Sequence, residues 1–152
     1  MKKRFFLGLL SASLALSAHA AADVPAPGQK LSDAQIAEWG DLPMYRIGRS
    51  TFRMIPVRPA NGQATLLLNT QGVVGISHND IAISRVSAET ARARLKQIVP
   101  QPLSIEHFEK AGVTVARFAD FGQAVAGMQA IKAALPEAQV RLPVQFSSQV
   151  PY

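Results

Sequence analysis

Between residues 80 and 146 the chain switches between two hydrophobic periods, and that switching constrains its fold more than any other feature. Asp80-Ile-Ala-Ile-Ser-Arg-Val86 sets β-branched residues at alternate positions, as a half-buried strand requires. Ser87 precedes the stretch 88–99, in which Ala91, Leu95, Ile98 and Val99 recur at helical spacing while Glu89, Arg92 and Lys96 face away. Pro100 and Pro102 end that helix, because proline lacks the N–H and forces the preceding residue out of the helical region. Leu103-Ser-Ile-Glu-His-Phe108 and Val113-Thr-Val-Ala-Arg-Phe118 read as two strands joined through 109–112, where Gly112 can supply the positive φ of a tight turn. Asp120 stands at capping-box spacing from Gln123, and the helix it opens buries Ala124, Met128, Ile131 and Leu135 before Pro136 stops it. Residues 140–146 alternate again and read as the last strand. The order predicts an α+β module of the ferredoxin-like, split βαβ type: a βαββαβ antiparallel sheet with two helices on one face.

If the helices cover Ile81, Ile83, Val113, Val115, Val140 and Leu142, the opposite face exposes Phe108, Ala116 and Phe118. Exposed aromatics beside small residues predict a protein interface.

The remainder divides in three. Met1-Lys-Lys-Arg4, an apolar stretch from 5 to 17 and the small-x-small site Ala18-His19-Ala20 read as an export signal, 1–20, cleaved after Ala20. Residues 21–79 form an extension: a flexible leader, a short helix opened by Ser32 with Gln35 at the capping-box position, and β-hairpins around 48–50, 60–63 and 69–72. Trp39 is expected to dock onto the body, the simpler packing, or onto a partner. A tail, 147–152, follows the module.

Loss of Lys2, Lys3 and Arg4 with the signal leaves 13 basic against 10 acidic side chains, so nucleic acid is not implied, and no membrane attachment is expected after cleavage. Arg46, Arg49, Arg53 and Arg58 fall in the hairpin region with no acid among them; they read as a solvated face or as a basic patch that steers toward an acidic partner. The chain has no cysteine, which excludes disulfides, thiolate metal sites and thiol nucleophiles.

A catalytic reading would need a nucleophile, a base and an orienting group. The mature chain offers His78 and His107 as bases near neutral pH, and neither stands in a catalytic motif. No Gly-rich phosphate loop, HExxH helix or GxSxG turn occurs. The expectation is a protein that is not an enzyme, with no catalytic residues, metal or cofactor.

Ile81-Ala-Ile-Ser-Arg-Val86 followed by a helix, Gly112-Val-Thr-Val-Ala-Arg117, the Ala-rich second helix, and Ala134-Leu-Pro-Glu-Ala-Gln-Val140 leading into a strand and tail resemble the propeptides of subtilisin-like serine proteases. The resemblance covers about half the chain and rests on pattern. It implies an intramolecular chaperone and temporary inhibitor whose sheet packs on two surface helices of the protease and whose tail lies substrate-like in the cleft. No protease domain follows Tyr152, so the chain is expected to act in trans, as the external chaperone of a secreted subtilisin-like, kexin-like included, serine protease. The complex would be 1:1, in the periplasm or released with the enzyme. The cleft-binding residues would be Ser148, Gln149, Val150, Pro151 and Tyr152, with Tyr152 in the specificity pocket and its carboxylate near the oxyanion hole. Glu106, Phe108, Glu109, Ala116 and Phe118 would contact the protease surface, with Glu106 or Glu109 capping its helix N-termini. The alternatives are a periplasmic protease inhibitor without a folding role, and a structural or adhesive module that shares only the fold.

Overall fold

The computed structural model describes residues 24–59 and 62–147. The expected export signal, Asn61 of the Asn-Gly turn, and the proposed cleft-binding residues Ser148 to Tyr152 lie outside them. Among these residues the architecture is α+β, with three α-helices and two four-stranded antiparallel sheets.

The first sheet is built in chain order from β1 (Met44–Ile47), β2 (Ser50–Met54), β3 (Thr65–Leu68) and β4 (Val74–Ser77). It is preceded by α1 (Asp33–Ala37), whose capping box forms as the spacing predicts: the Gln35 N–H donates to Ser32 Oγ, and the Gln35 amide oxygen accepts from the Ser32 N–H. Cross-strand partners share a face, so the sheet sorts its side chains by register. Leu66, Leu68 and Val74 are closed over by Leu31 and Ile36, with Trp39 packed half-buried beside them. On the other side Phe52 and Leu67 enter the main core, where they meet Ile81, Ile83, Leu95 and Phe121. Residues 44–77 and 80–146 therefore share one apolar interior.

The second sheet has the order β6-β7-β5-β8, all neighbours antiparallel, from β5 (Asp80–Ser84), β6 (Ser104–Phe108), β7 (Val113–Arg117) and β8 (Gln139–Arg141). The helices α2 (Ala88–Leu95) and α3 (Phe121–Ala134) begin at Ser87 and Asp120, each of which accepts from the backbone N–H three residues on. The expected positions Ala124, Met128 and Ile131 of α3, and Leu135 at its C-cap, are all buried. Phe121 at its start meets the Tyr45 ring edge-on, centroids 5.4 Å apart, which ties α3 to the first sheet.

Two expectations are corrected. The helix over 88–99 stops at Leu95, and Val99 is 82% exposed rather than on the buried stripe. The stretch 140–146 is not one strand: β8 ends at Arg141, Pro143 has no N–H to continue a ladder, and Gln145 pairs antiparallel with Ile76 on the edge of the first sheet. Phe146 then stacks on Phe52 at 6.3 Å, over Gly75, where a β-carbon would stand 2.8 Å from both Phe146 and Val144.

Asn79 joins the two sheets. It is 2% exposed and left-handed, φ 62°, a conformation that asparagine tolerates better than other non-glycine residues. Its Nδ2 donates to the Gln63 carbonyl at 3.2 Å, its Oδ1 accepts from the Thr65 hydroxyl at 3.1 Å, and its own carbonyl accepts from the Phe118 N–H at 3.0 Å. Asn79→Ala strips the side-chain bonds and leaves a strained φ, so urea titration should find it about 2–3 kcal/mol less stable. Asn79→Gly, which removes the strain but not the lost bonds, should lose less.

Candidate protein interaction surface

The register of the second sheet decides which side chains it buries. Ile81 faces Ala116 across β5 and β7, Ile83 faces Thr114, and Ile105 and His107 of β6 continue the same two rows. Those rows lie under α2 and α3. Ile81, Ile83, Thr114 and Ala116 are each at most 1% exposed.

Ala116 and Phe118, expected on the open face, are therefore buried, at 0% and 2% exposure. Phe118 is received by a notch at Gly127 of α3, where any β-carbon would overlap its ring. Val113 and Val115, expected beneath the helices, lie on the open side instead. The β6–β7 hairpin carries the signal that corrects this reading. Phe108 is paired with Val113 around the 109–112 connection, so an outward Phe108 requires Val113 and Val115 to point outward with it. Gly112 takes φ +61° in that connection, as expected.

The open face can be laid out in three rows running across the strands. The first is Phe108, Val113, Ser84 and Gln139; the second is Glu106, Val115, Ala82 and Arg141; the third is Ser104, Arg117 and Asp80. Phe108 is half exposed, Val113, Val115 and Ala82 are partly exposed, and Glu106 and Glu109 are exposed at the β6 margin, Glu109 in a 3-10 turn after Phe108. The centre is thus apolar and of low relief, and its rim is charged. No helix of the described residues is packed on it.

The rim contains the ion pair Arg117–Asp80, set by direct cross-strand opposition: Nε to Oδ1 is 2.7 Å and Nη2 to Oδ2 is 3.0 Å. The hydrogen bond that Arg117 donates to Asp80, then the charge of Asp80, then the charge of Glu106 raise the Arg117 pKa further above its already high value. A raised pKa contributes stability that is present below the unfolded value and lost only as pH climbs through the folded one, so this arginine adds no pH dependence near neutrality. The Arg117 side chain is 43% exposed and solvent screens the pair, so a double-mutant cycle of Arg117→Ala and Asp80→Ala should return a coupling below about 1 kcal/mol.

His78 is exposed, and His107 lies on the covered face with Nδ1 3.0 Å from the Thr114 hydroxyl. A cavity of about 500 Å³ is lined by Tyr45, Met54, Arg58, Thr65, Asn79 and Asp120 among others, with no histidine on its wall. Among the described residues no group of three or more His, Asp or Glu could hold a metal ion, and no helix is long and apolar enough to cross a membrane.

Comparisons with protein-family models, with curated proteins and with solved structures returned no match to this chain.

Proposed function

We propose that this chain is an external chaperone and temporary inhibitor of a secreted subtilisin-like serine protease, acting as a detached propeptide from the periplasm. The observation that carries the reading is the second sheet: one side closed by two helices, the other an open apolar centre with a charged margin that carries Glu106 and Glu109 at β6. The module is read as a ferredoxin-like split βαβ unit, a reading supported by its strand order, with β7 between β6 and β5 and β5 between β7 and β8, all antiparallel. In this account Phe108, Val113, Val115 and Ala82 pack on the enzyme's surface helices. Glu106 and Glu109 face the N-termini of those helices, where free N–H groups and the helix dipole favour carboxylates.

The tail Ser148, Gln149, Val150, Pro151 and Tyr152 enters the cleft. The anchoring of the chain just before it supports this role. Gln145 is bonded to Ile76, while the next stretch of the β4 edge is taken by Gly28, Gln29 and Lys30, bonded to Val74 or bridged to Val73. That edge is thus already occupied by Gln145 and by residues 28–30. Pro151 restricts the tail's conformations and lowers the ordering cost of docking.

Co-expression with the propeptide-lacking subtilase of the same organism tests the proposal. The yield of active enzyme should rise at least about tenfold with the chain present, the protease barrier being otherwise too high for spontaneous folding. An equal yield without it, or no such enzyme in the organism, rejects the chaperone role. Deleting Val150 to Tyr152 should weaken inhibition about 100-fold while complex formation weakens far less, because the tail and the sheet face bind separately. Equal inhibition constants for the full and trimmed chains would remove the tail from the cleft.

A further inference from the structure

The first sheet leaves half of its outer side uncovered, and that half is basic. Register places Arg46 opposite Thr51 and Arg53 opposite Met44, so these four side chains share a face, and Arg49 stands in the turn between β1 and β2. Leu31, Ile36 and Trp39 cover the β3–β4 part of this side and leave Met44 68% exposed beside the arginines. None of the three arginines is ion-paired among the described residues; the nearest polar contact is from Arg46 Nε to the Gly48 carbonyl, at 3.4 Å. The hairpin thus presents three unneutralised guanidiniums, with Arg46 and Arg53 flanking Met44 and Arg49 at the turn.

We infer that the outer face of the β1–β2 hairpin, Met44, Arg46, Arg49 and Arg53, is a second docking surface, for an acidic protein surface. Arginine and methionine are the side chains favoured at protein interfaces, and a guanidinium fork matches a carboxylate bidentately. Arg46 and Arg53 are diagonal neighbours, roughly 7–8 Å apart with their β-carbons somewhat closer, a spacing that suits two carboxylates on alternate residues of a strand or on adjacent turns of a helix. Nucleic acid fits less well, because Tyr45 and Phe52 point to the other side and the aromatic on this side, Trp39, is half-buried in the packing of α1 on β3 and β4 rather than laid open for a base to stack on. An anionic bilayer fits less well too, since three basic residues and one methionine provide little charge and little insertion. The surface is separate from the open face of the second sheet. That it grips the same protease rests on the function proposed above; that it binds carboxylate-bearing protein does not.

The experiment has two arms. In the first, the ¹⁵N-labelled chain is titrated with a Glu-Thr-Glu-Thr-Glu peptide at low salt. Shifts should concentrate at residues 44–53, fade as salt rises, and vanish in the triple variant Arg46→Gln, Arg49→Gln, Arg53→Gln. Shifts absent or spread over the whole surface overturn the inference, as does tighter binding to a single-stranded oligonucleotide or to vesicles with anionic lipid. In the second arm, association with the co-expressed protease is followed by stopped flow. The triple variant should associate about tenfold more slowly at low salt and nearly normally at high salt, the signature of electrostatic steering. An unchanged rate and salt slope in a complex that does form overturn the patch's role with this partner and leave the chaperone reading intact. If no complex forms while the peptide still binds, the chaperone reading fails and the acidic-partner surface stands.

Discussion

Phe118→Ala is expected to cost about 3–5 kcal/mol of unfolding free energy, while Phe108→Ala, ten residues earlier in the same hairpin, changes it by less than about 1 kcal/mol. The two phenylalanines look alike in sequence. The difference is that Phe118 is 2% exposed and seated in the Gly127 notch of α3, whereas Phe108 is 50% exposed on the open side of the sheet. Truncating Phe118 opens a cavity between α3 and the second sheet that the rigid Gly127 backbone cannot fill. Gly127→Ala attacks the same contact from the other side. Overpacking there costs about 1–3 kcal/mol, offset in part by the better helix propensity of alanine. Urea unfolding of the three variants checks the assignment. A Phe118→Ala protein as stable as the parent would mean that β7 is registered the other way round.

Much of this fold was legible because its local signals are chemical. Ser32, Ser87 and Asp120 read as helix starts and are observed as N-caps. Gly112 read as the positive-φ residue of the β6–β7 connection and takes that conformation. The faces of β7 were not legible in the same way. Val113-Thr-Val-Ala-Arg117 alternates cleanly, but alternation names two faces without saying which is covered, and hydrophobicity favours the wrong one. Thr114 and Ala116 are buried because large side chains of α2 and α3 fill the space above them, and Thr114 has the His107 ring to bond. The end of the module is hard to read from the sequence for a related reason. Residues 140–146 alternate like one strand, but they serve two sheets in succession, and nothing local announces that Gln145 leaves for Ile76. For the candidate site, Phe108, Glu106 and Glu109 stand at the exposed margin where the sequence reading put them, while the apolar centre formed by Val113, Val115 and Ala82 follows only from register. The bonds of Asn79 to Gln63, Thr65 and Phe118 depend on long-range packing that no local pattern announces.

Val115→Arg should leave the chain as stable as the parent and weaken its complex with the protease by about 100-fold or more, close to 2.7 kcal/mol, as expected for a charge placed unpaired in the desolvated centre of an interface. Val115 is the residue for this test because it sits mid-row, between Glu106 on β6 and Ala82 on β5, where an interface would bury it on every side. Its own burial in the free chain is only partial, so a longer side chain can turn outward without disturbing the core. Ala116→Arg is the opposite control: it points under the helices and should prevent folding. Phe108→Ala, at the end of its row, should weaken the complex by about tenfold. Calorimetric titration against catalytically inactivated protease, with thermal unfolding of each variant alongside, separates binding from stability. Parent-like affinity for Val115→Arg would move the interface off this face.

The most direct measurement is the refolding rate of the unfolded, propeptide-lacking protease, read as the return of peptidase activity after release from the complex. With the parent chain present the rate should rise by at least about 100-fold, since a template that buries part of the nascent surface lowers the folding barrier, and with Val115→Arg it should fall back close to the unassisted rate. A parent chain that inhibits the native enzyme yet leaves its refolding rate unchanged would contradict the account and make the protein an inhibitor alone.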